Sequence, residues 1–427
     1  MALKGFLKSG HPPTLFCAFL YFDFCFAVWV LNGAMAPFIS EAFQLSPVQK
    51  GFMLSVPIMS GALLRFPLGL LSQYIGRKNA ALVEMGTIII GLAWGYMMVD
   101  SYEKVLVMGV LLGIAGASFG VALSLGGGWF PPQYKGLAIG IAGAGNSGAV
   151  IAVLFAPPFA IAYGWTNVYG MAIILMLIPV LAMIFLAKEP PDREKKSIGG
   201  YLKVLVEKDA WIFNVSYILT FGGYIGFTMF LPTLFADGYG IPKKTMGQFA
   251  APIILMASVT RILGGWLADR VGGLNVMLTM CVLITVLSLI ASTMPPLWIM
   301  AAVLVLIFCC LGAGNGSTFQ LVPLRWTATS AIAMSLIGEI GALGGGLIPN
   351  SMGLSKQYFG TFSGGFLLWA AIGSGIFFMY LVVKKRWTTT WVGKGGKALT
   401  SCRGPKVIIH TAEEYERLQR AGRYYGV

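Results

Sequence analysis

Residues 259–274, VTRILGGWLADRVGGL, repeat the pattern of residues 63–78, LLRFPLGLLSQYIGRK. A shift of 196 residues pairs Arg65 with Arg261 and Gly76 with Gly272. Each arginine interrupts an apolar run that is long enough to cross a membrane, where a charge costs at least about 2.5–3.5 kcal/mol on insertion scales. The repeat therefore predicts two related halves, each with one arginine deep in its second helix.

Similar spacings recur elsewhere in the chain. The shift of 196 pairs GNSG at residues 145–148 with GALG at residues 341–344, and a shift of 200 pairs GASF at 116–119 with GSTF at 316–319. Several matches near one spacing predict two six-helix bundles, an architecture that is typical of secondary transporters. We expect an N-terminal bundle over residues 1–187, a cytoplasmic linker over 188–209, a C-terminal bundle over 210–386 and a cytoplasmic tail over 387–427.

The composition is that of an integral membrane protein. Of the 427 residues, 57% are hydrophobic and 11% are charged, whereas soluble domains carry about 25% charged residues. Twelve apolar runs are long enough to cross a bilayer core of about 30 Å. They span residues 14–39, 48–74, 79–99, 104–129, 136–163, 166–188, 208–236, 245–269, 274–294, 296–321, 329–354 and 361–384. The fold is therefore predicted to be all-α, with twelve transmembrane helices in two pseudo-symmetric six-helix bundles.

The net charge of +14 is distributed unevenly over this topology. When the helices are numbered alternately, one end of the molecule receives only five basic residues, namely Lys50, Lys104, Lys243, Lys244 and Lys356. The opposite end receives the basic linker and the basic tail. By the positive-inside rule, both termini are expected in the cytoplasm of a multi-pass protein of the cell membrane. The basic balance thus indicates topology and does not indicate a nucleic-acid partner.

The sequence lacks the patterns that catalysis or metal binding requires. Its six cysteines show no CxxC or Cys/His spacing, and its two histidines, His11 and His410, lie near the ends of the chain. It also contains no nucleophile–base set and no cofactor loop. We therefore expect neither an enzyme nor a bound metal or cofactor.

The paired arginines predict an anion site. Equivalent positions in equivalent helices should bring Arg65 and Arg261 together where the two halves meet. A guanidinium group is always charged and holds planar oxyanions through two parallel hydrogen bonds. The alternatives are snorkelling or pairing with a buried carboxylate, for which Asp23, Glu84 and Glu339 are the candidates. Asp23 and Glu84 lie nearer the cytoplasmic ends of their helices, so we do not expect them to neutralise the pair.

Glycine-rich stretches accompany these helices. Residues 126–150, GGGWFPPQYKGLAIGIAGAGNSGAV, carry small residues at nearly every third or fourth position, a pattern of close helix packing. Asn146 is polar within this run and can donate a hydrogen bond to an oxyanion. The glycines that we expect to permit packing and sliding of helices are Gly143, Gly145, Gly148, Gly341 and Gly344.

The loop after the second helix of the C-terminal half carries a signature. GGWLADRVGG has the form G-x-x-x-D-R-x-G, which resembles the loop motif of the major facilitator superfamily. The resemblance implies that Asp269 and Arg270 form a structural latch on the cytoplasmic side. The first half keeps the glycines but has Gln73 and Tyr74 in place of the aspartate and arginine.

A longer motif narrows the resemblance. WFPPQYKGLAIGIAGAGNSGA, residues 129–149, closely resembles the signature of the nitrate/nitrite porters of this superfamily. The stretches at residues 335–353, 22–37 and 312–320 fit the same family, and the resemblance spans nearly all twelve helices.

This resemblance implies a set of substrate-binding residues. They are Arg65, Arg261, Asn146, Tyr217, Phe119 and Phe221. In the implied site the arginines clamp the anion, the asparagine and the tyrosine donate hydrogen bonds, and the two phenylalanines form walls above and below it. Without the resemblance, these phenylalanines would be ordinary core residues.

The function favoured by the sequence is secondary active transport of nitrate and nitrite by alternating access. Glu339, in a helix expected to line the pathway, is the candidate for proton coupling, which would give proton–nitrate symport. The expected partners are nitrate, nitrite, protons and the lipid bilayer, and we expect a monomer. The alternatives are a nitrate/nitrite antiporter, an exchanger of small carboxylates such as oxalate and formate, and a nitrate sensor that signals through its tail.

Overall fold

The computed structural model describes residues 6–191, 203–326 and 330–398. Helices joined by short turns account for nearly all of these ranges, and no β-strand occurs in them. The N-terminal half contains α1 (Pro12–Ala42), α2 (Pro47–Ile75), α3 (Arg77–Met97), α4 (Tyr102–Gly127), α5 (Pro132–Gly143 and Gly148–Tyr163) and α6 (Trp165–Leu186).

Six further helices form the C-terminal half. They are α7 (Lys208–Gly238), α8 (Met246–Val271), α9 (Gly273–Ser292), α10 (Leu297–Arg325), α11 (Ser330–Gly344 and Leu347–Phe359) and α12 (Ser363–Thr390). Within the described ranges, eleven helices are long and apolar enough to span a membrane, and the two pieces of α11 together supply the twelfth crossing. The predicted all-α membrane fold is confirmed.

Four predicted helices differ from those observed. In α4, a 3₁₀ turn at Ile114–Ala117 separates Tyr102–Gly113 from Ser118–Gly127. A 3₁₀ turn at Ala144–Ser147 interrupts α5, and α11 breaks at Gly345 and Gly346. Glycine lowers helix stability by about 1 kcal/mol per residue, so a run of glycines is a natural place for a break. α12 continues to Thr390, past the expected domain boundary at Arg386. Residues 192–202 of the expected linker and 399–427 of the expected tail lie outside the described residues.

The sequence repeat reappears as a repeated turn. Gly76 joins α2 to α3 with φ +90°, and Gly272 joins α8 to α9 with φ +97°. A positive φ in this range is strained for residues with a Cβ atom, so each turn requires glycine. The two turns are 196 residues apart, which is the shift that pairs the arginines.

Each of these turns is covered by the segment that follows the last helix of its own half. In the N-terminal half, the Glu189 carboxylate accepts hydrogen bonds from the backbone N–H groups of Arg77 and Lys78, both at 2.9 Å. In the C-terminal half, the carbonyl of Gly395 lies against Gly272. The first helix after each turn is thus anchored to the end of its own bundle.

The two bundles meet along three helix pairs, α1 with α7, α2 with α11, and α5 with α8. We call the end of the molecule where α1 begins and α12 ends the termini face, and the opposite end the far face. At the far face, ion pairs join the bundles between Lys50 and Asp237 and between Lys243 and Glu41. The bundles are therefore tied together at the far face.

Near the termini face, α8 is mostly exposed. Between residues 258 and 271 of α8, Gly264 and Ala268 are the buried residues, and Gly264 packs against α10. Leu263 and Trp266 are 55% and 53% exposed. The piece of α5 at Pro132–Gly143 packs mainly on α4 and α1 of its own bundle. The last turns of α8 and the first piece of α5 therefore pack mainly within their own bundles.

Candidate functional site

Close packing within each bundle positions the two arginines. Gly61 of α2 lies against the carbonyl of Gly113 in α4, and Gly316 of α10 lies against the carbonyl of Arg261 itself in α8. A Cβ at either glycine would overlap this backbone. Small residues thus let the arginine-bearing helices approach α4 and α10 closely.

Arg65 is held at the interface by both bundles. Its Nε donates to the carbonyl of Gly116 at 2.8 Å, and its Nη1 donates to the carbonyl of Gly338, in the other bundle, at 2.6 Å. Arg65 as a whole is 5% exposed, and its guanidinium carbon lies 5.2 Å from the ring centre of Phe221 and 5.5 Å from that of Trp29. Its Nη2 has no hydrogen-bond partner in the described residues.

Arg261 approaches the same region from the C-terminal bundle. Its guanidinium carbon lies 5.4 Å from the ring centre of Phe119 and 5.3 Å from that of Phe319. The guanidinium carbon of Arg65 lies 5.6 Å from the ring centre of Phe119 as well. Both arginines therefore share one aromatic ring, as the predicted approach of the two helices requires.

Tyr217 and Phe221 complete the aromatic surroundings. Their rings stack with centroids 5.2 Å apart, and the Phe119 ring lies 6.2 Å from Phe221 and 6.0 Å from Phe319. Between Tyr217 and Gly223, α7 contains a π-helical segment that includes Phe221, and such segments are frequent at functional sites. Tyr217 Oη is buried and interacts with the Arg261 guanidinium, but it makes no hydrogen bond of regular geometry in the described residues.

Among the described residues, the buried charged donors that lack a hydrogen-bond partner are those of Arg65 and Arg261. Arg65 Nη2, Arg261 Nη1 and Tyr217 Oη are all buried donors without a hydrogen-bond partner in residues 6–191, 203–326 and 330–398. Neither arginine belongs to an ion pair in those ranges. Leaving buried charged donors unpaired is expensive, so the arrangement fits an anion that accepts their hydrogen bonds.

Acidic residues lie near Arg65 without forming an ion pair with it. Glu84 of α3 is fully buried, accepts a hydrogen bond from Tyr21 and interacts electrostatically with Arg65. Glu339 follows Gly338 in α11, interacts electrostatically with Arg65 and accepts a hydrogen bond from Ser335 at 3.0 Å. Glu84 and Glu339 thus lower the positive potential around Arg65 without forming an ion pair with it.

Asn146 lies in the 3₁₀ turn of α5 and is 2% exposed. With its amide nitrogen turned toward its own helix, it donates to the carbonyls of Ala144 and Gly143 at 3.2 and 3.3 Å. Its backbone carbonyl accepts a hydrogen bond at 3.2 Å from Tyr224, whose ring lies 6.3 Å from that of Phe221. Asn146 is therefore linked to the site through Tyr224, and its role as a direct donor stays a prediction.

The predicted packing glycines lie at helix contacts within each bundle. Gly145 and Gly148 of α5 lie against the backbone of Asp23 in α1, and Gly341 and Gly344 of α11 lie against Tyr217 and Ile218 of α7. A Cβ at Gly143 would lie 3.3 Å from Leu123. The α1–α5 and α7–α11 contacts are equivalent under the repeat, and the second of them places Tyr217.

The predicted latch lies on the surface of the termini face. Asp269 and Arg270 are exposed, and the Arg270 guanidinium carbon lies 4.0 Å from the ring centre of Trp266. In the described ranges, Asp269 forms no ion pair. Their function as a latch stays a prediction.

Two aromatic residues of the site did not emerge from the sequence. Phe319 faces Arg261 as Phe119 does, and the shift of 200 residues already paired GASF with GSTF, so the signal was present. Trp29 faces Arg65 and is fixed by a 2.8 Å hydrogen bond from its Nε1 to the carbonyl of Pro57. Its apolar helix gave no comparable signal.

The chain is similar to known membrane transport proteins. A family model described as Major Facilitator Superfamily matches residues 17–349. The probable nitrate/nitrite transporter NarK2 of Mycobacterium tuberculosis (strain ATCC 25618 / H37Rv) is 30% identical, over 77% of this chain and 85% of its own. The nitrite extrusion protein of Bacillus subtilis (strain 168) is 27% identical, over 83% of this chain and 90% of its own.

Two further proteins extend the comparison. The probable nitrate/nitrite antiporter NarK1 of Thermus thermophilus is 27% identical, over 89% of this chain and 94% of its own. A crystal structure of a bacterial homologue of the human lysosomal transporter Spinster superposes with a TM-score of 0.68 at 17% identity, over 89% of this chain and 98% of that one. At this identity, the structural match shows a shared fold.

Proposed function

The chain belongs to the nitrate/nitrite porter family of the Major Facilitator Superfamily, and we propose that it carries nitrate and nitrite across the cell membrane. The observation that supports this substrate is the pair of unpartnered guanidinium nitrogens, Arg65 Nη2 and Arg261 Nη1, on two guanidinium groups that both lie within 5.6 Å of the Phe119 ring centre. Members of the superfamily are transporters and not enzymes, and the site contains groups that hold an anion and none that transform it.

Nitrate matches the chemistry of these groups. It is small, planar and singly charged, and each of its oxygens accepts hydrogen bonds. Two guanidinium forks donate in parallel to such an ion, and Tyr217 Oη supplies a further donor. The faces of Phe119, Phe221 and Phe319 bound the region and exclude water, which strengthens the remaining electrostatic attraction. Nitrite presents the same charge and two of the same acceptors.

Alternating access follows from where the site lies. Arg65 belongs to one bundle and Arg261 to the other, so rocking the bundles changes access to an anion between them. The Lys50–Asp237 and Lys243–Glu41 ion pairs join the bundles at the far face. In the proposed cycle, opening of the far face requires these two ion pairs to separate.

We further propose that nitrate uptake is coupled to the movement of protons. A carboxyl group that is protonated when the anion binds lets the downhill movement of protons drive uptake. Two buried carboxyl groups near the site, Glu339 and Asp23, are the candidates for this role. Glu339 follows the residue whose carbonyl holds Arg65 and interacts electrostatically with that arginine. If Glu339→Gln retains proton uptake that accompanies nitrate, then Glu339 is not the coupling group.

Antiport is the second candidate. The positive site of two arginines can exchange one anion for another without any titratable group, and the relative from Thermus thermophilus carries the name of an antiporter. The two modes differ in one measurement. Symport gives nitrate uptake into liposomes that contain no internal anion substrate, whereas antiport requires nitrite or nitrate inside.

The test of the substrate site is nitrate uptake by proteoliposomes containing wild type, Arg65→Lys or Arg261→Lys. Lysine keeps the charge and loses the planar fork, so we expect either substitution to reduce nitrate uptake by at least about tenfold. Arg386→Lys is the matched control because Arg386 pairs with Asp209 outside the site. Wild-type nitrate uptake in both site variants would refute the two-arginine site.

A further inference from the structure

One buried carboxyl group in the transport pathway has no role in the site described above. Asp23 of α1 is 6% exposed, and its Oδ1 accepts a hydrogen bond of 2.7 Å from Ser147 Oγ. The backbone N–H of Gly148 interacts with the same carboxyl group. In the described part of the chain no lysine or arginine pairs with it. An ionisable group without a counterion inside a membrane protein is expensive, and such groups mark functional sites.

Asp23 lies at the level of the anion site. It is roughly ten residues, or about 15 Å of helix rise, from the termini-face end of its helix, and Arg65 and Arg261 are equally far from the corresponding ends of α2 and α8. Tyr224 connects them, because it interacts electrostatically with both Asp23 and Arg261 and donates its hydroxyl to the carbonyl of Asn146. The charge on Asp23 therefore acts on the site through one intervening side chain.

The carboxyl group also holds the interruption of α5. Ser147 ends the 3₁₀ turn and Gly148 begins the second piece of the helix, and both donate toward Asp23. Gly145 and Gly148 bring the α5 backbone into contact with the backbone of Asp23, which places the carboxyl group next to the turn. An ionised carboxylate is the acceptor that two such donors favour, and a protonated one satisfies them less well.

We infer that Asp23 is a proton-binding group that couples proton movement to anion binding. The inference rests on the nitrate transport proposed above. When Asp23 is ionised, its negative charge opposes an anion at the arginines. When it has taken up one proton, that repulsion is removed and the anion binds. One proton bound at Asp23 then crosses with each nitrate ion and leaves to the cytoplasmic water when the anion leaves.

The neighbouring elements leave Asp23 as a distinct titrating group. α5 presents Ser147 and the Gly148 N–H, and α7 presents Tyr224. On α1 itself, Tyr21 turns to Glu84 of α3. Of the other charged groups near the site, Arg65 of α2 and Glu339 of α11 interact with each other. Arg261 of α8 interacts with Tyr224, which in turn interacts with Asp23. Glu339 thus has a cation beside it, whereas Asp23 has none within the described ranges.

The experiment measures proton and nitrate movement together in proteoliposomes that contain a pH-sensitive dye. Wild type, Asp23→Asn and Glu339→Gln are compared for proton uptake during net nitrate entry and for exchange of labelled nitrate. We expect Asp23→Asn to continue exchanging nitrate while its nitrate-dependent proton signal falls by at least about tenfold. We expect Glu339→Gln to keep a measurable proton signal.

A second variant tests Asp23 without removing it. Ser147→Ala deletes a donor that favours the ionised form, so the pH at which nitrate affinity falls by half is expected to move upward. Ser124→Ala is the matched control, since Ser124 Oγ donates to the carbonyl of Val121 within α4.

The outcomes separate this inference from the proposed function. Unchanged proton uptake in Asp23→Asn, or the same pH profile in Ser147→Ala and wild type, overturns the role of Asp23. Loss of the proton signal in Glu339→Gln alone assigns coupling to Glu339 and overturns it as well. Failure of wild type to exchange nitrate instead refutes the proposed substrate.

Discussion

Removing one hydroxyl group tests the placement of the anion. Tyr217→Phe deletes only Tyr217 Oη, which is buried and has no hydrogen-bond partner in the described residues. A hydroxyl that makes no hydrogen bond of regular geometry adds little to the stability of the fold, and its contact with Arg261 is weak for the same reason. The free energy of unfolding of the anion-free protein is therefore expected to stay nearly the same. A hydrogen bond to a charged group is worth about 1.5–3 kcal/mol, so the nitrate dissociation constant is expected to rise roughly 10- to 150-fold.

Tyr169→Phe is the matched control for this substitution. Tyr169 is also fully buried, but its hydroxyl donates to Asn32 Oδ1 at 2.8 Å. Its removal leaves a buried acceptor unpaired, and we expect the free energy of unfolding to fall by about 1–3 kcal/mol while the nitrate dissociation constant stays unchanged. Tyr217→Phe is therefore expected to lower the nitrate affinity and not the stability, and Tyr169→Phe to lower the stability and not the nitrate affinity.

Thermal unfolding of the purified protein at increasing nitrate concentrations measures both quantities. The melting temperature without nitrate reports the stability of the anion-free protein, and its rise with nitrate gives the dissociation constant. Our reasoning is refuted if Tyr217→Phe lowers the anion-free melting temperature as Tyr169→Phe does and binds nitrate as wild type does. The hydroxyl would then serve packing and not the anion.

Substitutions at the aromatic walls, at a helix contact and at the far face have further expected outcomes. Phe119→Ala should weaken nitrate binding more than Phe319→Ala, because Phe119 faces both arginines; equal losses in a binding titration would contradict this. Gly148→Ala should lower the free energy of unfolding by about 1–3 kcal/mol, whereas Gly140→Ala, with open space around its Cβ, should not lower it; denaturation curves compare the two. Lys50→Ala breaks the ion pair with Asp237 between the bundles, so distances between spin labels at the far-face ends of α1 and α7 should lengthen. An unchanged distance distribution would show that the Lys50–Asp237 ion pair does not hold the far face together.

The crossings of the membrane and the arginine pair could be predicted from the sequence because both depend on local or repeated patterns. A helix must present about 20 apolar residues to a bilayer, so each predicted run identified its helix. The identical shift that pairs Gly76 with Gly272 also pairs Arg65 with Arg261, and the structure brings both arginines against Phe119.

Features that depend on facing elements were not accessible from the sequence. The Lys50–Asp237 ion pair joins residues 187 positions apart in α2 and α7, and nothing in the sequence of either helix end indicates the other. Asn146 is polar within an apolar run, but the direction of its amide depends on the 3₁₀ turn that a glycine-rich sequence does not announce. For the same reason, Asp23 gave no sign of its position at that turn.

The covered turns give each bundle a mechanical independence. Glu189, in the chain that follows α6, holds the start of α3. Gly395, in the chain that follows α12, contacts the corresponding turn at Gly272. In each half, the segment after the last helix contacts the turn between the second and third helices of the same half. The connection between the halves begins only after the first of these two contacts. A cut between residues 191 and 203 would leave both contacts, that of Glu189 and that of Gly395, intact. The two halves, produced as separate chains, are therefore expected to assemble in the membrane and to rock against each other as the single chain does.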